Sequence, residues 1–229
     1  MFQTSPFALI ILFVGMSLLP FVAMVATSYL KIVVVISRIR NALGIQSIPP
    51  NMVVNALAMI LSFYIMAPVA SQSWKNITES KTAIEAQAKS PEGSGAFVLS
   101  LSAFDFDSAA EPFREWLSAH TAPRERSFFI HTAENLWGKE DEPAVVDSES
   151  FYILLPAFCV SELTKAFQIG FLVYLPFIAI DIIVSNILLA MGMMMVSPVT
   201  ISLPFKLLLF VMVNGWTLLI QGLVRGYML

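Results

Sequence analysis

Apolar residues fall along this chain in long runs, not in the short alternation of a sheet. Four runs stand out: Phe7 to Leu30, Met52 to Ala70, Phe151 to Met191 and Phe205 to Val224. A bilayer core of about 30 Å needs about 20 residues of helix. The first, second and fourth runs have that length and predict one span each. The third is too long for one simple span. It predicts a full span preceded by a shorter helical piece, with the polar Ser161 to Lys165 (SELTK) between them.

The spans are not ideal. Pro20, Pro68, Pro156 and Pro176 each remove a backbone donor and bend a helix. Gly15, Gly170, Gly192, Gly215 and Gly222 allow close backbone approach. Breaks at membrane depth are tolerated where protein or a water-filled cavity surrounds them, which favours a packed multi-subunit bundle over lone spans in lipid.

Between the second and third runs the chain turns polar. It starts loose, SWKNITESKTAIEAQAKSPEGSG, and then offers two short helical patterns. AAEPFREWLSAH places Pro near a helix start and Phe113, Trp116 and Leu117 at helical spacing. RERSFFIHTAENLWG does the same with Phe128, Phe129, Thr132, Leu136 and Trp137, and Gly138 is the expected stop. The reading is a small helical cap that would not be stable alone. The organisation is therefore 1–72, two apolar membrane segments; 73–150, an acidic helical insert outside the membrane; and 151–229, apolar segments carrying a methionine-rich turn. The predicted fold class is an all-α membrane protein of long kinked helices and hairpins.

Composition agrees. Hydrophobic residues are 57% of the 229 and charged residues 13%, about half the share of a soluble domain. The net charge of -3 is unevenly spread. Residues 1–72 hold Lys31, Arg38 and Arg40 and no acid, while residues 73–150 hold 7 basic and 14 acidic residues. An acidic insert makes nucleic acid a poor partner. Arg38 and Arg40 fall in the first connection, Ser37 to Asn51, which the positive-inside rule assigns to the cytoplasm. The N-terminus and the insert are then periplasmic, and Lys206 agrees with a cytoplasmic third connection. MFQTSP lacks a basic stretch and no small-residue cleavage site follows, so the first run is expected to be retained as a span.

Candidate chemistry begins with charges inside apolar runs. Glu162 and Lys165 lie three apart, on one helix face, and Asp181 follows deeper in the same run. Each such charge facing lipid costs about 2.5–3.5 kcal/mol, so all need partners or water. Two readings stay open: a local ion pair with one interfacial Asp, or intersubunit pairing and the lining of a polar conduit. Next comes Met191-Gly192-Met193-Met194-Met195 before Val196-Ser197-Pro198. Methionine is flexible and fills irregular gaps, which suits ordinary packing or a soft apolar constriction. Thioether ligation of Cu(I) finds no Cys or His nearby in sequence. The single Cys159 allows no internal disulfide or zinc spacing. No zincin, nucleophile-elbow or phosphate-loop motif is present, and Asp181 is the only aspartate in a span, so no enzyme, metal or cofactor is expected.

Three segments carry a resemblance. They are Ser28 to Val69 (SYLKIVVVISRIRNALGIQSIPPNMVVNALAMILSFYIMAPV), Leu154 to Leu219 (LLPAFCVSELTKAFQIGFLVYLPFIAIDIIVSNILLAMGMMMVSPVTISLPFKLLLFVMVNGWTLL) and, more loosely, Glu111 to Thr121 (EPFREWLSAHT). The chain resembles the SctR/FliP family, a core export-gate subunit of type III secretion systems and flagella. The resemblance implies a bacterial inner-membrane, multi-pass protein in a helical assembly of about five copies. It implies SctS/FliQ-like and SctT/FliR-like subunits beside it, with SctU/FlhB-like and SctV/FlhA-like export components, inner rod proteins and unfolded secreted substrates as further partners. It implies that the assembly sits largely at or above the periplasmic face and conducts unfolded proteins, with Met193, Met194 and Met195 as a gasket closing the pore. The family's SEL-x-K segment maps onto Ser161, Glu162, Leu163 and Lys165. Asn214 where many flagellar members have Asp, Ser197 within Val196-Ser197-Pro198 where they have Pro, and the missing cleaved leader point to an injectisome over a flagellum. An ion-coupled carrier and a pure assembly scaffold are the alternatives; a carrier would show internal repeats, which are absent.

Overall fold

The computed structural model describes residues 6–45, 48–87, 106–138 and 146–228, and these are helical with no strand among them. The helices are α1 Pro6–Val25, α2 Tyr29–Ala42, α3 Asn51–Gln87, α4 Phe106–His120, α5 Pro123–Trp137, α6 Phe151–Ala190, α7 Pro198–Met212 and α8 Gly215–Arg225. The all-α membrane fold class is as the apolar runs predict. Two helices, within Asn51–Glu79 and Phe151–Ala190, are long and apolar enough to cross a membrane. The number is up to four if the bent pairs α1–α2 and α7–α8 each count as one span.

Four helix limits differ from the sequence expectation. The first run is not one helix: it breaks after Val25 and resumes at Tyr29 with a bend of 55°. Hydroxyl groups hold this break. Thr27 Oγ1 donates to the Ala23 carbonyl at 2.6 Å, Ser62 Oγ donates to Thr27 Oγ1 at 3.0 Å, and Ser28 Oγ donates to Ser62 Oγ at 3.2 Å. Such side chains offer the backbone an alternative to the helical ladder. Arg38 and Arg40 consequently lie in α2 and not in a loop, and the first connection is shorter than Ser37 to Asn51. The polar start of the insert is not loose, because α3 continues to Gln87; residues 88–105 of that stretch lie outside the described residues.

The third run is a single 40-residue helix, continuous through SELTK, Pro156 and Pro176. The polar segment does not interrupt it because its charges find partners. The fourth run is two helices meeting at 59°. Asn214 stands at the corner in the left-handed region, φ 51 and ψ 46, which Asn tolerates better than most residues. Gly215 follows because a Cβ there would lie 2.2 Å from the Phe210 ring. In the insert both helical patterns are real. Gly138 ends α5, though with an extended backbone (φ -69, ψ 154) and not the left-handed turn of a usual glycine stop.

The chain divides into two compact units. One comprises Met1–Ile65 and Glu162–Leu229, the other Met66–Ser161, so the divisions fall inside α3 and α6. The core of the first unit centres on α2. Ile32, Val35, Ile36 and Ile39 are fully buried at i, i+3, i+4, i+7 spacing, against residues of α3, α6, α7 and α8. The core of the second unit forms where Trp116 and Leu117 of α4 meet Ile153, Leu154 and Phe158 of α6, with the Trp116 and Phe158 rings 5.0 Å apart.

Candidate functional site

Two features of the first unit carry chemistry: a pair of charge clusters buried among apolar helices, and a methionine turn that faces outward.

The first cluster centres on Glu162. Its carboxylate is wholly buried in α6 and holds two lysines, Lys31 Nζ of α2 on Oε2 at 3.1 Å and Lys165 Nζ on Oε1 at 3.1 Å. Tyr227, just past the end of α8, donates its hydroxyl to Oε2. The Lys31 ammonium also lies 3.6 Å from the centre of the Tyr227 ring. Burial, reinforced by the adjacent carboxylate, pushes the Tyr227 phenol well above its ordinary range, so it stays a neutral donor. Lys31 is nearly as buried as its partner, whereas Lys165 is partly exposed. A dry carboxylate with two cations and a phenol on it has its lone pairs satisfied, the condition under which a buried ion pair is sustainable.

The second cluster lies farther along α6. Asp181 accepts from Ser202 Oγ of α7 at 2.6 Å and from Lys206 Nζ at 2.6 Å. Lys206 is buried, and it also donates to the Ala42 carbonyl at the end of α2, at 3.3 Å. One ammonium thus joins α2, α6 and α7 and offsets the negative end of the α2 dipole. The three charges read inside apolar runs, Glu162, Lys165 and Asp181, thus find partners within one chain, and Asp181 has a cation of its own in Lys206. Arg40 also lies at this end of α2, donating to the Pro49 carbonyl at 3.1 Å and to Asn51 Oδ1 at 2.5 Å. Arg38 is exposed on the same helix.

Sequence reasoning missed three members: Tyr227, Ser202 and the role of Lys31 as partner of Glu162. A signal existed for Lys31. Residues 1–72 contain no acid, so a lysine within an apolar helix must find its carboxylate in the C-terminal block, where Glu162 and Asp181 are the only candidates. No comparable signal marks Tyr227 or Ser202.

The methionine turn joins α6 to α7. Gly192 takes φ +74, a backbone region most side chains avoid, and lets Met193 N–H return to the Leu188 carbonyl at 2.9 Å. Pro198 then opens α7 at the first-turn position that needs no donor. Between these stops Met194 is 81% exposed and Met195 fully so, with Met193 less exposed at 43%. Around them α6 and α7 also present apolar side chains outward, among them Ile183, Leu189, Val199 and Phe205. A largely apolar exterior of this kind marks a surface covered by lipid or by other protein. Among the described residues no group of three His, Cys, Asp or Glu side chains could hold a metal ion.

Comparison with known proteins gives this geometry a setting. Residues 12–223 match the model of the FliP family. The chain is 52% identical over 222 residues to Yop proteins translocation protein R of Yersinia pestis, covering 96% of this chain and 95% of that protein. It is 46% identical over 226 residues to hypersensitivity response secretion protein HrcR of Ralstonia nicotianae, covering 98% and 99%. It is 44% identical over 225 residues to virulence protein YscR of Salmonella typhimurium, covering 97% of each.

Proposed function

The chain belongs to the FliP family, and on that premise we propose that it is a core subunit of a type III secretion export gate. It is a membrane protein by its apolar helices and its relatives. In this reading it works in the bacterial inner membrane, with the acidic insert in the periplasm, as a structural, non-catalytic part of the channel that unfolded substrates traverse. Several copies, about five by family resemblance, pack around one axis together with SctS-like and SctT-like subunits, and the SctU-like and SctV-like components and the inner rod adjoin them. Relatives named for virulence and for the hypersensitivity response favour an injectisome over a flagellum.

The observation that carries the reading is the exposed triplet Met193 to Met195 at the tip of a hairpin whose flanking helices face outward with apolar side chains. A ring of such turns makes a soft seal. Thioether side chains have no hydrogen bonds to break when a chain pushes through, and they close again around whatever remains. The buried clusters serve a different end. They hold α2, α6, α7 and the C-terminal tail in one arrangement, so that the turn sits on a defined support.

The expected behaviour follows. Replacing Met193, Met194 and Met195 together by alanine raises small-dye and ion leakage through the assembled complex several-fold, while protein secretion continues. Dye-uptake measurements on cells making the complex check this. Leakage at the wild-type level in the triple variant contradicts the seal.

A further inference from the structure

The face that α2 turns toward α6 carries two cations two helical turns apart, Lys31 and Arg38, and the structure treats them oppositely. Lys31 is buried on Glu162. Arg38 is exposed, and no carboxylate among the described residues pairs with it; its guanidinium lies 4.6 Å from the centre of the Phe167 ring of α6. The stem of Arg38 passes over Gly170, where even a Cβ would meet its Cβ and Cγ at 3.2 Å. Beyond the stem a groove of about 270 Å³ opens, lined by Arg38, Asn41, Phe167, Gly170, Phe171 and Tyr174.

The chemistry of this groove is that of a phosphate bound beside a hydrocarbon surface. The arginine fork fits two phosphate oxygens. Asn41 and Tyr174 are polar residues of its lining, while the exposed Phe171 ring offers an apolar edge. Among the described residues no carboxylate of these helices is left to compete for the anion's role. Residues 1–72 hold no acid, and the acids of α6 are already taken, Glu162 by Lys31 and Lys165 and Asp181 by Lys206. The carbonyl end of α2, which would repel an anion, is offset by the Lys206 ammonium on the Ala42 carbonyl. Basic pockets between apolar helices at the membrane surface are where anionic headgroups settle, and aromatic side chains belong at that depth. We infer that the groove between α2 and α6 holds the phosphate of an anionic phospholipid, with Arg38 as its principal ligand.

The test uses the purified full chain in nanodiscs of equal parts phosphatidylglycerol and phosphatidylethanolamine, with co-purifying lipid counted by native mass spectrometry. The wild-type protein is expected to retain phosphatidylglycerol preferentially. Arg38→Met keeps the stem over Gly170 and removes the charge; the preference should fall about tenfold or more, the size expected for one charged hydrogen-bonded contact. Arg225→Gln, which removes an exposed cation at the end of α8, should leave the preference unchanged. Inorganic phosphate should not displace the lipid, because it lacks the acyl chains. Arg38→Lys covers a failure of Arg38→Met to fold, and its drop should be smaller but measurable, since the bidentate fork is lost. An unaltered lipid ratio in the folded Arg38 variants overturns the inference, and so does displacement of the lipid by free phosphate. Loss of self-association in Arg38→Met with lipid retention unchanged would assign Arg38 to an acidic side chain of a second copy instead, and overturns it equally.

Discussion

The two compact units each pair a cation with a carboxylate, in opposite surroundings. In the first, Lys31 and Glu162 meet at 3.1 Å with side chains 5% and 0% exposed. In the second, Arg114 reaches Glu111 at 2.6 Å and Asp107 at 3.0 Å, with the guanidinium 22% exposed and the two carboxylates 44% and 85%. The distances are alike, and the consequences are not. An exposed pair is screened by water and salt and contributes little. In a dry setting the pair itself adds little over an apolar one, but removing one partner strands a charge that has nowhere to go. Burial, not proximity, decides which ion pairs are indispensable.

The largest effect should come from Glu162→Gln, which leaves Lys31 buried without its carboxylate. A loss of about 3–5 kcal/mol is expected, read as a lowered unfolding midpoint in detergent. The double variant Lys31→Met, Glu162→Gln sharpens the comparison, because removing both charges should recover most of that loss. If the single variant unfolds at the wild-type midpoint, the buried cluster is not what holds α2 against α6. Next in size is Gly215→Ala. The new Cβ collides with Phe210, whose ring packs edge-on against Trp216 at 5.4 Å, and overpacking of this kind costs about 1–3 kcal/mol. The same unfolding measurement checks it, and a neutral result means the α7–α8 corner yields freely. Smallest is Arg114→Gln in the insert, expected to cost less than about 1 kcal/mol and to cost still less in high salt. A loss as large as that of Glu162→Gln would erase the distinction between the units.

Much of this was legible in the sequence, for reasons that also mark where legibility ends. The apolar runs identified the helices because lipid-length burial leaves a strong local signal. Helical spacing put Glu162 and Lys165 together, since residues three apart share a face. What the sequence did not yield were contacts between distant positions. Lys31 and Glu162 are 131 residues apart, and Tyr227 closes onto the same carboxylate from the far end of the chain. The helix limits failed where a polar residue played an unexpected part. SELTK resembles a break until its acid is neutralised from another helix, and then α6 runs through it. Asn214 resembles an ordinary polar position inside an apolar run, yet its tolerance of positive φ turns one span into two helices. The methionine turn was readable as a turn, because Gly192 and Pro198 bracket it, while its role came from resemblance and not from spacing.

A seal of this kind requires methionine turns from neighbouring copies to meet around a shared passage. Cys159 is the only cysteine, so Cys159→Ala gives a background in which Met194→Cys carries a single thiol. Mild oxidation of the assembled complex should then join the introduced thiols of two protomers in a disulfide, and a substrate stalled in transit should protect that thiol from labelling. Protomers that stay unlinked in the intact complex, with the thiol reached only by hydrocarbon-soluble reagents, would place the turn in lipid and contradict the account.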